Sequence, residues 1–477
     1  MIIISIAGVL PDMIHFVIFN KPIDYISLMT FSDTNNSEVS DFINTYGTFN
    51  VYIKLFLLII LPFILLYFLP SYSLKIKVKS WKFILLSVII FTVLILTLPR
   101  DYVQREIRPV YLSNTYKQVL VDKKLFIENI KNINHEDFGE IKINSISDNN
   151  TYILVIGESA DRNRYSLYNY NRDTSPYLSK IKDELFLFDD VISPHAHTSP
   201  ALELILTFGD LRNNDLKYKY GSIIDFFNSA GFKTFWISNQ YKYGSYDSGY
   251  SAIANAADEK IYINTNSWQS NKTNYYDEQL IIELEKVLKE NYGNKFIILH
   301  LFGSHSPYNN RYPEKFNVYK SNQYLANISP DSKYANVMKY NAYDNSIIYT
   351  DYVLKKLIDV LKQENINGYM LYFSDHGEDA GSTDKNVFYG HNESISSKPM
   401  YEIPFILWLS NKYKQENSGK VNNIKLSIHK PYQTDRLIHT IIDLSNMDNE
   451  LFKQSESIIN KNFQEVKRVY GNKEYKK

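Results

Sequence analysis

Side chains that can bind metals follow three apolar runs of the sequence, at the points where those runs end. Glu158 follows "TYILVIG", His305 follows "KFIILHLFG", and Asp375 and His376 follow "GYMLYFS", with His391 on the next loop, "FYGHNE". Taken singly, an acidic residue or a histidine at such a position is typical of a turn or a helix cap. Taken together, carboxylate and imidazole groups from separate strand ends are the ligands that a zinc site needs.

A threonine stands at the start of a predicted helix in "SPHAHTSPALELILTFGD", residues 193–210. Thr198 or Ser199 suits the N-cap and Pro200 the first turn, so unpaired amides and the positive end of the helix dipole would welcome a phosphate there. Capping alone would explain Thr198. However, a threonine hydroxyl becomes a nucleophile when a metal or a base lowers its pKa, and the strand-end groups could hold such a metal.

Three further histidines lie near these motifs. His195 and His197 flank the threonine and could reach the site, but at least one of them is expected on a solvated loop. His300 lies inside an apolar run and is expected to be a packed or hydrogen-bonded core residue.

The elements that must position these groups alternate between strands and helices. Near-continuous apolar runs begin at Thr151, Phe232, Lys295, Gly368 and Pro404, as strands covered on both faces require, and helical patterns lie between them. This alternation predicts an α/β domain with a mostly parallel central sheet flanked by helices. Ligands bind beyond the carboxyl ends of the strands in such sheets, which places the metal-binding groups at one edge.

Two apolar stretches have the length of membrane-spanning helices. They are residues 51–70 and 81–99, and the less regular residues 1–20 form a third candidate. The lysine-rich loop "SYSLKIKVKSWK" between the two clear stretches is expected on the cytoplasmic side, so everything after Arg100 would lie outside. The predicted organisation is a helical transmembrane region at 1–100 with two or three spans, a connector at 101–149 and an outer catalytic domain at 150–477.

Composition excludes some functions. Lysine and arginine together number 52, as do aspartate and glutamate, so no basic surface argues for binding nucleic acid. Cysteine is absent from the 477 residues, which excludes disulfides and thiolate chemistry.

Six stretches of the outer domain resemble, in order and spacing, the membrane-anchored phosphoethanolamine transferases of the alkaline phosphatase superfamily, a sulfatase-like family. They are "VIGESADRNRYSLYNYNRDTSP", "SPHAHT", "HLFGSHSPYNNRYP", "YDNSIIYTDYVL", and "SDHGE" with "FYGHNE". The resemblance covers about 152–410 and implies an alkaline-phosphatase-like fold.

The resemblance also implies roles for individual residues. Glu158, Thr198, Asp375 and His376 would hold zinc, with Thr198 as the nucleophile. His305 and His391 would contact the transferred phosphate or a second zinc, so one or two ions are expected.

The N-terminal part resembles the same family in "SDTNNSEVSDF", where the family places lipid headgroup contacts. Thr34 and Glu38 stand at matching positions, while Thr30 replaces the usual asparagine. The family commonly has about five spans, against two or three here, which an N-terminally short form or a late start site would explain. The family also commonly has disulfides in the outer domain, and no catalytic motif depends on them.

The function implied is transfer of phosphoethanolamine from phosphatidylethanolamine to a lipopolysaccharide component, a core sugar or lipid A, or another surface glycan. A covalent phosphoethanolamine-threonine intermediate would form on the zinc-activated threonine. The motif "SPHAHT" looks more like the branch that acts on core sugars. The protein is expected to be a monomer in the bacterial inner membrane, with its catalytic domain in the periplasm.

Three other readings remain open. A sulfatase is disfavoured, because Thr198 and Leu202 replace the nucleophile and the arginine of its C-x-P-x-R motif. A phosphoglycerol transferase of the same superfamily would also use a threonine and a metal. A catalytically inactive membrane-anchored scaffold would use the same polar residues only as caps and turns.

Overall fold

The computed structural model describes residues 2–34, 36–61, 64, 107–144, 147–241, 248–264, 276–320, 337–381 and 389–477. These fall into two compact units. The smaller unit contains residues 1–32 and 42–122, and the larger unit contains residues 33–41 and 123–477.

The smaller unit is helical. Its helices are α1 (Ile2–Phe19), α2 (Tyr25–Asp33), α3 (Asn36–Tyr46), α4 (Phe49–Leu55) with a π-helical turn at Phe56–Ile60, and α5 (Arg108–Lys131). Helices α2, α3 and α5 also include residues that group with the larger unit. An ion pair of 2.7 Å between Asp12 on α1 and Arg108 at the start of α5 ties these helices together.

Among the described residues, no helix has both the length and the apolar character needed to cross a membrane. The candidate span over residues 1–20 forms α1, which contains Pro11. The predicted span at 51–70 is described only to residue 61 and at residue 64, and the one at 81–99 lies outside the described residues.

A seven-stranded sheet forms the centre of the larger unit. Its strands are β1 (Asn150–Gly157), β2 (Leu185–Phe188), β3 (Lys233–Ser238), β4 (Glu259–Tyr262), β5 (Lys295–His300), β6 (Asn367–Ser374) and β7 (Phe405–Leu409). They lie in the order β2-β7-β6-β1-β5-β3-β4. Strands β6, β1, β5, β3 and β4 are mutually parallel, whereas β7 is antiparallel to both of its neighbours.

The sheet is therefore mixed. All five predicted apolar strands are present, and the prediction of an α/β domain with a central sheet is confirmed. The run after Pro404 was expected in a mostly parallel sheet and instead forms the antiparallel strand β7. The edge strands β2 and β4 were not predicted, because both are short and only partly buried.

Helices cover both faces of the sheet. They are α6 (Thr198–Ile205), α7 (Ile223–Ser229), α8 (Gly249–Asn255), α9 (Gln279–Lys289), α10 (Val337–Gln363), α11 (Asn411–Glu416), α12 (Ser418–Ser427) and α13 (Leu437–Leu444). Alternate residues of β1 feed two separate cores: Leu154 packs with α6 to α8, and Val155 packs with α9 and α10. Because both faces are covered, β1 is buried along its whole length, as its continuous apolar run predicts.

The contact between β1 and β6 allows no side chain at Gly368. Gly368 lies opposite Thr151 in the ladder, and a Cβ atom there would overlap the Thr151 carbonyl oxygen. We predict that Gly368→Ala lowers the free energy of unfolding by about 2 kcal/mol, because the backbone of a central strand must shift. Chemical denaturation would measure it. The matched control is Gly419→Ala in α12, where a Cβ meets no atom within 4 Å, and equal losses for the two variants would contradict the account.

Candidate metal centre

Three acidic or imidazole groups meet where β1 and β6 end. The register pairs Gly157 with Ser374, so the residues that follow, Glu158 on one strand and Asp375 and His376 on the other, leave the sheet side by side. One ligand atom from each lies within 4.8 Å of the others, and all three residues are buried. We call Glu158, Asp375 and His376 the carboxylate–imidazole cluster.

The nucleophile candidate contacts this cluster. The Thr198 hydroxyl donates a hydrogen bond to Glu158 Oε2 at 3.1 Å and lies 3.5 Å from His376 Nε2. The N-cap of α6 is His197, which makes no capping hydrogen bond, and Thr198 is the first helical residue. The expectation that Thr198 or Ser199 caps the helix is therefore wrong by one residue, because the hydroxyl is directed to the cluster rather than to the helix amides.

Hydrogen bonds to the backbone orient the cluster. His376 Nδ1 donates to the Gly377 carbonyl at 2.8 Å, which leaves Nε2 facing Glu158 and Asp375 at 3.3 and 3.5 Å. Histidines that bind metals usually have their second nitrogen held in this way. Asp375 Oδ1 accepts the amides of His376 and Ser159 at 2.7 and 3.3 Å.

The cluster contains side chains that can bind a divalent cation, and one of its carboxylate oxygens accepts no hydrogen bond. Asp375 Oδ2 is buried and has no hydrogen-bond partner, although buried carboxylate oxygens are almost always paired. Two carboxylates, an imidazole and a hydroxyl are a donor set that suits zinc. These residues therefore fit the metal that the sequence predicts.

Burial and mutual repulsion change the pKa values of the cluster. Burial and the nearby Glu158 charge raise the pKa of Asp375 to about 7. Burial acts to lower the pKa of His376, but the two carboxylates outweigh it and raise this pKa to about 10. Burial acts to raise the pKa of Glu158, but its hydrogen bond to His376 and the charge of that imidazole hold it well below its ordinary value. Without a metal, the His376 proton balances the negative charge.

The other predicted histidines lie around the cluster. The His391 ring centroid is 4.2 Å from that of His376, and its Nδ1 is 2.6 Å from Glu378 Oε2. His305 follows β5, and its loop is attached to the cluster by the Ser304 amide, which donates to the Glu158 carbonyl at 2.9 Å. Burial lowers the pKa of His305 and of His391, which favours neutral imidazoles at both positions.

Neither histidine before the threonine lies on a solvated loop. His197 is buried, and its ring centroid lies 5.1 Å from that of His391. His195 is half-buried, with its Nδ1 2.9 Å from Glu393 Oε1. The expected solvation of at least one of them is wrong, because the loop that carries His391 and Glu393 covers both. His300 is a core residue, as predicted, packed between Trp236 and Tyr250.

Sequence reasoning missed three polar partners of the site. Gln240 donates to Glu158 Oε2 at 3.2 Å, Glu378 holds His391, and Glu393 holds His195. Gln240 comes two residues after β3, so the rule that selected Glu158 would also have selected it. Glu378 and Glu393 lie within the quoted motifs "SDHGE" and "FYGHNE".

The headgroup positions predicted in the N-terminal part belong to different units. Thr34 and Glu38 lie in residues 33–41, which group with the larger unit. Thr30 lies in α2 in the smaller unit, where its hydroxyl donates to the Ile26 carbonyl at 3.0 Å.

The sulfatase family profile matches residues 150–447, which include the whole cluster and Thr198. The chain belongs to the sulfatase family. Within it, the phosphoethanolamine transferase EptC of Escherichia coli strain K12 is 34% identical over 330 residues, a match that covers 69% of this chain and 56% of EptC. The chain thus spans about half the length of this relative.

Solved structures of sulfatase-family proteins agree with this assignment. The C-terminal periplasmic domain of E. coli EptC, crystallised in complex with zinc, matches at 33% identity with a TM-score of 0.65, over 70% of this chain and 92% of that domain. The integral membrane protein EptA of Neisseria meningitidis, a lipooligosaccharide phosphoethanolamine transferase, matches in fold with a TM-score of 0.71 at 21% identity, over 96% of this chain and 86% of EptA. The resemblance to phosphoethanolamine transferases is confirmed.

The pKa values make a prediction about metal binding. Zinc must displace the protons of Asp375 and His376, whose pKa values are raised to about 7 and about 10. We predict that each zinc bound releases about two protons at pH 6 and about one at pH 8, because Asp375 is already ionised at the higher pH. Calorimetry in buffers of different ionisation enthalpy measures this number. In the Asp375→Asn control the count at pH 6 should fall to about one, and an equal count at both pH values for the unaltered chain would contradict the raised pKa of Asp375.

Proposed function

We propose that the chain is a phosphoethanolamine transferase that moves phosphoethanolamine from phosphatidylethanolamine to a lipopolysaccharide component, a core sugar or lipid A. The observation that carries the proposal is the Thr198 hydroxyl, which lies at a helix N-terminus 3.1 Å from Glu158 Oε2 and 3.5 Å from His376 Nε2. The similarity to EptC, whose name states that it transfers phosphoethanolamine, supports the choice of group.

We assign one zinc ion to Glu158, Thr198, Asp375 and His376, and either phosphate contacts or a second zinc to His305 and His391. A bound zinc ion would lower the pKa of a hydroxyl ligand and offset negative charge on the phosphate. The zinc complex of the EptC domain supports the choice of metal.

The reaction is a double displacement on phosphorus. First, Thr198 Oγ1 forms a bond to the phosphorus of phosphatidylethanolamine while the bond from phosphorus to the diacylglycerol oxygen breaks. Thr198 Oγ1 gives up its proton, and the departing diacylglycerol oxygen takes up one proton. Then the acceptor oxygen attacks the same phosphorus, the bond to Thr198 breaks, and the acceptor proton returns to Oγ1. Amides at the start of α6 would stabilise the negative oxygens in both steps.

The donor is a lipid, so we propose that residues 1–100 hold the enzyme in the bacterial inner membrane with two or three spans. Residues 101–149 would connect this region to a periplasmic catalytic domain at 150–477, and the enzyme would act as a monomer. Support comes from the fold match to an integral membrane protein over 96% of the chain. Thr34 and Glu38 would contact the donor headgroup.

The nucleophile is tested with the full chain and phosphatidylethanolamine in detergent. We predict that Thr198→Ala lowers release of diacylglycerol at least about a thousandfold, because the variant lacks the hydroxyl that contacts the cluster. Intact-protein mass spectrometry should detect an added phosphoethanolamine group on the unaltered chain and none on the variant. Thr207→Ala, just past the C-terminal end of α6, is the control and should keep the adduct. Normal turnover by Thr198→Ala would overturn the assignment.

The donor is tested by competition between two labelled lipids. Phosphatidylethanolamine should label the chain at Thr198. Phosphatidylglycerol should label it at least about tenfold more slowly, because it lacks the ethanolamine headgroup whose contacts with the enzyme stabilise the transition state. Faster labelling by phosphatidylglycerol would identify a phosphoglycerol transferase. No labelling by either lipid, from a folded chain that also retains no stoichiometric zinc, would point to a scaffold.

A further inference from the structure

A short acidic stretch from the N-terminal part of the chain packs within the larger unit. Residues Asp33–Asp41 precede Lys123, the next residue of that unit, by more than eighty positions. We call Asp33–Asp41 the acidic segment. It contains the end of α2 and the first part of α3, and it carries Thr34 and Glu38 between its two terminal aspartates.

One end of the acidic segment is fixed beside the nucleophile. Ser199, the neighbour of Thr198, donates a hydrogen bond to Asp33 Oδ2 at 2.5 Å. The other carboxylate oxygen, Oδ1, pairs with Lys123 Nζ at 2.7 Å. The Asp33 side chain is only 8% exposed, so both contacts form largely out of water.

The other end is fixed to the loop that carries His305. Arg311 forms a 2.9 Å ion pair with Asp41 Oδ2, and both side chains are largely buried. The same guanidinium donates to the carbonyls of His305 and Ser306 at 2.7 and 3.2 Å and lies 3.8 Å from the Phe302 ring centroid. One arginine therefore ties Asp41 to the backbone of a site residue.

The negative charges of Asp41 and Glu38 act on Tyr241, a residue that packs against the loop carrying His305. Burial raises the pKa of Tyr241, and the negative charges of Asp41 and Glu38 add to this effect. Tyr241 packs edge-to-face on Phe302 at 5.0 Å, and Phe302 packs on His305 at 5.6 Å. Burial lowers the pKa of His305 and the negative charge of Asp41 acts against this effect, so Asp41 lies within electrostatic range of the His305 ring.

We propose that Asp33 and Asp41 are positioning residues that fasten the acidic segment to the site at two points, next to Thr198 and next to His305. The contacts of Asp33 and Asp41 hold Thr34 and Glu38 in the position where the headgroup of the lipid donor binds. That role of Thr34 and Glu38 rests on the proposed function. Fixing a contact group in place raises the rate for the substrate that uses it. A small phosphodiester that lacks the headgroup needs only the nucleophile and its metal.

The first test compares two substrates for the full chain in detergent. Asp33→Asn and Asp41→Asn keep the shape of the side chain and remove its charge. Each should lower kcat/KM for phosphatidylethanolamine at least about tenfold and leave kcat/KM for bis(p-nitrophenyl) phosphate within about twofold. The control is Asp448→Asn, an exposed aspartate of the larger unit, which should change neither. Equal losses on both substrates would mean a merely structural role, and an unchanged rate on the lipid would mean no role; either result overturns the proposal.

The second test does not depend on turnover. Amide hydrogen exchange of residues 33–41 should accelerate at least about tenfold in Asp33→Asn and Asp41→Asn, because each substitution removes an ion pair and so weakens one of the two contacts, while exchange in β1 and β6 stays the same. If the unaltered chain fails to use phosphatidylethanolamine, the proposed function fails, and this measurement still decides the fastening. Unchanged exchange in both variants would refute it.

Discussion

Two buried carboxylates held side by side are the constraint on which the rest of the site depends. The pairing of β1 with β6 holds the backbones of Glu158 and Asp375 next to each other, and both side chains are buried. Both carboxylates of such a pair stay ionised only when a positive charge lies beside them. The His376 proton supplies that charge in the protein alone, and a divalent cation would supply it more completely. The Thr198 hydroxyl shares this environment.

Five of the seven strands and the cluster were predictable because they follow from local pattern and one rule of α/β folds. Continuous apolar runs identified the strands, and the rule that ligands lie at carboxyl ends selected Glu158, Asp375 and His376. The direction of β7 was not predictable, because an apolar run reads the same in a parallel and an antiparallel ladder. The position of Thr198 within α6 was wrong by one residue, because capping preference ignores what the hydroxyl meets in three dimensions.

The contacts that complete the site come from residues distant in sequence. Glu393 holds His195 across 198 positions, and Asp33 meets Ser199 across 166. No spacing rule connects such positions. Nor does composition predict that a glutamate in "FYGHNE" contacts the loop before Thr198. In this protein the sequence indicated which side chains form the metal centre. The contacts that the surrounding loops and the acidic segment make with it became visible only in the three-dimensional structure.

The central claim is that Glu158, Thr198, Asp375 and His376 share one metal ion. Anomalous diffraction at the zinc edge, from crystals of the zinc-loaded chain, tests this most directly. The account predicts a peak about 2.0–2.2 Å from Thr198 Oγ1, from His376 Nε2 and from an oxygen of each carboxylate. A zinc peak elsewhere, with the Thr198 hydroxyl out of coordination distance, would contradict it.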